Sequence, residues 1–237
     1  MSKYRLTSYT ARKSTRGGFT LVELLVVIGI IAILAGVALG PITQGLEKAK
    51  ESAGMQTART LGLSAFQYSV DVGTYPGGSN SEDVCIALVQ GQYIQDASIF
   101  AASGAQAYKG TDIKAIGASN IAWDFMAGAA PTPPATGSVG LTTSDPDGMP
   151  AIFSTGQNVP VPAQGAAAPA IELTNKNPFG NHGMAVCYKS NSAVFIKAQV
   201  SGTTATVPGS VTAAGSPGMF SPSFYVSPGA TYTQLKP

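Results

Sequence analysis

Residues 19–39 read FTLVELLVVIGIIAILAGVAL, and Glu23 is their only ionisable side chain. A helix of that length rises about 31 Å, enough to cross a bilayer's hydrocarbon core. No other stretch of the 237 residues is long and apolar enough to do the same. A secretory signal peptide is the first alternative, but the run is too long and no small-x-small cleavage pattern follows it. A plain membrane anchor explains the length but not Glu23. A carboxylate inside a membrane segment is costly unless paired, so it calls for a partner.

The flanks set an orientation. Lys3, Arg5, Arg12, Lys13 and Arg16 precede the apolar run with no acid among them. Of fourteen Lys and Arg, nine remain after residue 18 against twelve acids, a balance of −3. Basic residues ahead of a span mark its cytoplasmic side. The rest of the chain has no Lys/Arg cluster of the kind a nucleic-acid groove needs, so no direct nucleic-acid binding is indicated. Charged residues make up only 11% of the sequence, and its 28 Gly and 16 Pro exclude a mostly helical body.

The string RGGFTLVELLVVIGIIAILA resembles the N-terminal signal of type IV prepilins and type II secretion pseudopilins. The resemblance implies removal of a basic leader, residues 1–18, by a membrane prepilin peptidase that cuts after Gly18. Phe19 would become the first residue and be N-methylated by the same peptidase/methyltransferase. Glu23 would be the fifth mature residue, where the family carries glutamate. Paired with the Phe19 amine of a neighbouring subunit, it would set register during assembly. Further implied partners are homo- and hetero-oligomeric pilin-like subunits, an assembly platform, a motor ATPase and the lipid bilayer. The implied place is the inner (cytoplasmic) membrane, single-pass, with a cytoplasmic N-terminus and a periplasmic head, or an extracellular filament.

The fold class expected is α+β: a long helix over 19–72, its 19–39 part transmembrane, and a globular head over 73–237 with a short helix and an antiparallel sheet. Gly36, Gly40, Pro41 and Gly45 predict a kink or local melting of the helix. Ala58, Leu61, Ala65, Tyr68 and Val72 fall on one helical face and should pack on the head. Glu47, Lys48, Lys50 and Glu51 read as a solvated face. Gly73 offers a left-handed cap and Pro76 a stop. The pattern Tyr68, Asp71, Gly73, Tyr75-Pro76 resembles the end of this helix in major pseudopilins. Ser79 and Glu82 read as a capping box for a second helix ending at Gly91, with Tyr93, Ile94 and Phe100 as core anchors beyond it.

Residues 127–170 are rich in Ala, Gly, Pro, Ser and Thr and read as surface loop. Within them Asp145-Pro146-Asp147-Gly148 reads as a turn. The family's secretion pseudopilins often bind calcium in a head loop, which makes Asp145 and Asp147 weak calcium candidates. Two carboxylates supply only part of a calcium shell, so no cofactor is otherwise expected. Met184–Lys189 and Ala193–Val200 flank Ser190-Asn191-Ser192 as a β-hairpin, with Val194, Ile196, Ala198 and Val200 on one face. Residues 201–237 read as edge strands or a wrapped tail. The lone His182 should serve a structural hydrogen bond.

Cys85 and Cys187 are the only cysteines. An extracytoplasmic head permits a disulfide between them, and two buried thiols are the alternative. Nucleophile elbows, phosphate loops, HExxH and CxxC motifs are missing. The chain therefore reads as a structural subunit rather than an enzyme, with a type II secretion-like pseudopilin placed ahead of a surface type IV pilus subunit. An anchored head acting alone as a binding protein or enzyme comes third.

Overall fold

The computed structural model describes residues 18–102, 105–128, 138–162, 166–210, 218–220 and 231–237. The leader, apart from Gly18, lies outside them. The chain divides into two compact units, Met1–Leu46 and Glu47–Pro237.

Helix α1, Leu21–Val72, contains Pro41. It begins at Thr20, whose hydroxyl accepts from the Glu23 amide at 3.2 Å. The Glu23 carboxylate in turn accepts from the Thr20 amide at 2.8 Å. This reciprocal capping box satisfies two donors that a helix start otherwise leaves bare. The expected melting near Pro41 does not occur: the helix runs unbroken through it. Proline deletes one amide donor, and the Thr43 hydroxyl donates to the Gly40 carbonyl at 2.8 Å. The helix ends where Gly73, at φ +94°, donates to the Ser69 carbonyl.

In the second unit, Ala58, Leu61 and Ala65 are buried as the periodicity predicts, and Tyr68 is partly buried. Val72 is exposed, because the helix ends there and its last turn clears the core. Gly54 and Gly62 complete the buried face. A Cβ on Gly54 would overlap the Phe179 ring, and one on Gly62 would stand 2.5 Å from Cys187 Sγ. These glycines let the helix approach the head more closely than any side chain would.

Helix α2, Ser81–Gln90, is capped one residue later than expected. Asn80 accepts from the Asp83 amide at 3.0 Å, and Asp83 accepts from the Ser79 amide at 2.8 Å. Ser79 and Glu82 are not the box, because the Asn80 amide oxygen takes the capping position. Val84, Cys85 and Leu88 are its buried face, which packs on strand β1, Trp123–Gly128.

Six of the described strands form one antiparallel sheet in the order β2, β1, β3, β5, β6, with β9 also paired to β1. Here β2 is Val139–Gly140, β3 Pro150–Ser154, β5 Gly183–Tyr188, β6 Ala193–Lys197 and β9 Tyr232–Leu235. A second, three-stranded sheet joins β4 (Ile171–Glu172), β8 (Thr204–Val207) and β7 (Gln199–Ser201). The α+β class and the antiparallel sheet are as expected. The 127–170 segment is not all surface loop, because β3 lies inside it with all five residues buried. Apart from half-buried Gly128, strands β1, β3 and β5 are buried without alternation, as strands covered on both faces are.

The hairpin forms with Val186 opposite Val194 and Met184 opposite Ile196. Asn191 takes φ +60° at its turn, a conformation asparagine tolerates. The second strand is shorter than expected. At Ala198 the chain leaves the large sheet and continues as β7, where Val200 is exposed.

Candidate functional site

In the first unit, no stretch of the described helix is sheltered. Leu24, Leu25, Val26 and Val27 point in four directions about 100° apart, and all are exposed. The same holds onward to Ile42 and Leu46. By length and composition this is one helix able to cross a membrane. Gly18 and Phe19 are exposed immediately ahead of it. Glu23 is held by Thr20 through both amide and hydroxyl, each at 2.8 Å. Its carboxylate is thereby held at Thr20, the residue after Phe19. The Thr-x-x-Glu spacing at Thr20 and Glu23 is the sequence signal for this cap.

In the second unit, α1 has two unlike faces. Opposite the buried stripe, Leu63, Phe66 and Val70 are exposed at spacings of three and four. Of the charged residues at its start, Lys48 and Lys50 are exposed. Glu47 is not simply solvated, because its Oε1 lies 3.5 Å from His182 Nε2. His182 thus ties its loop to the helix by its side chain, while its backbone carbonyl accepts from the Ala198 amide at 3.0 Å.

Cys85 and Cys187 are both buried free thiols, so the anticipated disulfide is not formed in the structure. Cys85 belongs to the α2 face that packs on β1, whereas Cys187 Sγ lies against Gly62 and Asn191. Burial pushes Cys187 up to about 12 and Cys85 well above the usual thiol range. Protonated buried thiols are poor nucleophiles, and His182 is engaged with Glu47.

Asp145 and Asp147 sit at the turn expected of them, and both carboxylates already have protein partners. Asp145 Oδ2 accepts from the Thr142 amide at 2.6 Å and its hydroxyl at 3.0 Å. Its Oδ1 accepts from the Tyr232 hydroxyl at 2.8 Å. Asp147 Oδ1 is 3.2 Å from Lys189 Nζ. Among the described residues, no group of three His, Cys, Asp or Glu is placed to hold a metal.

Asp124 was invisible in the sequence, standing between Trp123 and Phe125. It is fully buried on β1 and accepts from Gln234 Nε2 at 2.6 Å. Burial raises its carboxyl to about 6, against the lowering effects of Thr155, Gln234 and Lys236.

A family model described as the prokaryotic N-terminal methylation motif matches residues 13–39. The chain carries a prepilin-type N-terminal methylation motif. That motif spans the Gly18–Phe19 bond, the Thr20–Glu23 cap and the apolar helix start. The chain is also similar to a fimbrial protein of Neisseria meningitidis serogroup B, at 31% identity over 83 residues. That match covers 35% of this chain and 49% of the relative. It is likewise 31% identical over 90 residues to the fimbrial protein EcpC of Eikenella corrodens, covering 38% of this chain and 58% of that one. The chain thus spans about half the length of the curated relatives it matches. No solved structure matches it. The motif and the relatives bear out the resemblance to type IV pilin-like proteins.

Proposed function

We propose that this chain is a pilin-like filament subunit, anchored in the inner membrane by its apolar helix and later polymerised through it. One observation carries the reading: helix α1 is apolar and uncovered on every side up to Leu46, with one acid, capped at its start. Such a surface needs lipid or other protein around it. Cleavage after Gly18 by a prepilin peptidase would turn Phe19 into a cationic amine, which methylation keeps basic. Glu23, one turn away, is the nearest acid for an amine on its own or a neighbouring subunit. Head-to-tail packing of such helices would give an open filament rather than a closed ring. The motor would be a separate ATPase. The role is structural rather than enzymatic, with the uncovered helix as the working surface.

The finer assignment is a pseudopilin of a type II secretion-like machine, with the head outside the cytoplasm. A second reading, a surface pilus subunit, is favoured by the relatives named as fimbrial proteins. Intact mass and N-terminal peptide mapping of protein from native membranes test the common part. A chain beginning at methylated Phe19 is expected, and one beginning at Met1 would overturn the proposal. Shearing of cells then separates the finer readings: released filaments containing this chain mean a pilus, and their absence with a defect in protein export means a pseudopilin.

A further inference from the structure

The loop over residues 142–149 is organised around a cation supplied by the protein. The Lys189 side chain is only 8% exposed. Its Nζ donates to the Asp145 carbonyl at 2.6 Å, the Thr143 carbonyl at 3.2 Å and Asp147 Oδ1 at 3.2 Å. A buried ammonium has three protons to place, and each finds an oxygen of one short loop. Lys189 is itself pinned: its amide donates to the Met149 carbonyl at 2.8 Å, and its carbonyl accepts from the Tyr75 hydroxyl at 3.2 Å. The neighbouring Ser190 amide donates to the Asp147 carbonyl at 3.1 Å. Asp145 faces away from the ammonium, its carboxylate spent on Thr142 and Tyr232.

Two carbonyls and a carboxylate converging on one point are oxygens of the kind a hard cation takes, and water would complete the shell of a divalent ion there. We infer that Lys189 is the resident cation of this oxygen cluster, holding the 142–149 loop in place without a free metal ion. The ammonium and a divalent ion are mutually exclusive there, since both require the same three oxygens. Removing the ammonium while leaving space therefore converts an ion-independent loop into an ion-dependent one. The inference rests on the head alone, and stands or falls independently of the filament reading.

The test is thermal unfolding of the full chain in detergent, in EDTA and in about 10 mM calcium chloride, a concentration suited to a weak site. Wild type is expected to unfold at the same temperature in both. Lys189→Ala is expected to melt about 5 °C lower in EDTA, and to recover part of that loss with calcium. Lys189→Met, which fills the space with an apolar chain, is expected to show the loss without the recovery. Adding Asp147→Asn to Lys189→Ala is expected to abolish the recovery. Hydrogen exchange of the Thr143–Gly148 amides in wild type gives a second readout, expected to be identical with and without calcium. Calcium-dependent exchange or melting in wild type would overturn the inference, as would an unshifted or calcium-insensitive Lys189→Ala. Calcium recovery in Lys189→Met would place the ion elsewhere and overturn it too.

Discussion

Leu61 and Leu63 stand two residues apart on one helix, the first fully buried and the second 46% exposed. Leu25 belongs to the same helix, 60% exposed, with neighbours open on every side. The second unit therefore treats α1 as an amphipathic element, with one face sealed by its own head. The first unit gives it no face at all. Apolar character alone does not say where a helix is buried. Its arrangement does: a periodic stripe is answered within the chain, and a continuous run must be answered outside it.

Glu23 offers the largest test of that contrast. Glu23→Ala should cut the filament fraction by on the order of a hundredfold if its pairing is sealed in the assembly. Near-UV circular dichroism should show the head unchanged. Loss of the head signal together with assembly would erase the distinction between the units. Within the second unit, Leu61→Ala should destabilise the head by about 2–5 kcal/mol, as large-to-small core changes do. Leu63→Ala should leave unfolding within about 0.5 kcal/mol of wild type. Equal effects from the two would mean that the exposed face is covered by something in the monomer.

Asp124 gives a pH test confined to the head. Its folded carboxyl holds a proton up to about pH 6, whereas the unfolded one releases it near 3.8. The group therefore favours the folded state most at low pH, and that contribution is lost as pH climbs through 6. The loss is up to about 3 kcal/mol, and denaturant titrations across pH 4–7 measure it. Asp124→Asn should flatten that slope, while an unchanged slope would assign it to other groups.

The smallest expected difference compares glycines. Gly62→Ala would press a methyl within 2.5 Å of Cys187 Sγ and 3.0 Å of Asn191 Oδ1, at about 1–3 kcal/mol. Gly29→Ala meets nothing within 4 Å. It should be neutral for head unfolding and should favour the helix by under about 1 kcal/mol. A Gly62→Ala protein as stable as wild type would show that the helix can back away from the hairpin.

Much of this was legible in the residues. The apolar run, the Gly18–Phe19 junction and Glu23 are contiguous, and their chemistry depends on local order in the chain. The stripe through Ala58, Leu61 and Ala65 was readable because helical periodicity is local too. The α2 cap was misplaced by one residue, since Ser79 and Asn80 are both good capping residues and only the backbone path chooses between them. Strand β3 was hidden by its Ala/Gly/Pro-rich surroundings. A strand buried on both faces has no alternation to reveal it.

The sequence by itself determined that this chain has one membrane-length helix with a prepilin-type start, because composition and adjacency suffice for both. Only the tertiary structure decided that Lys189 meets the oxygens of the 142–149 loop. It alone put Asp124 beside Gln234 and left Cys85 and Cys187 as separate thiols. Those outcomes join residues tens of positions apart, and their partners are fixed by sheet register and packing, which no local pattern encodes.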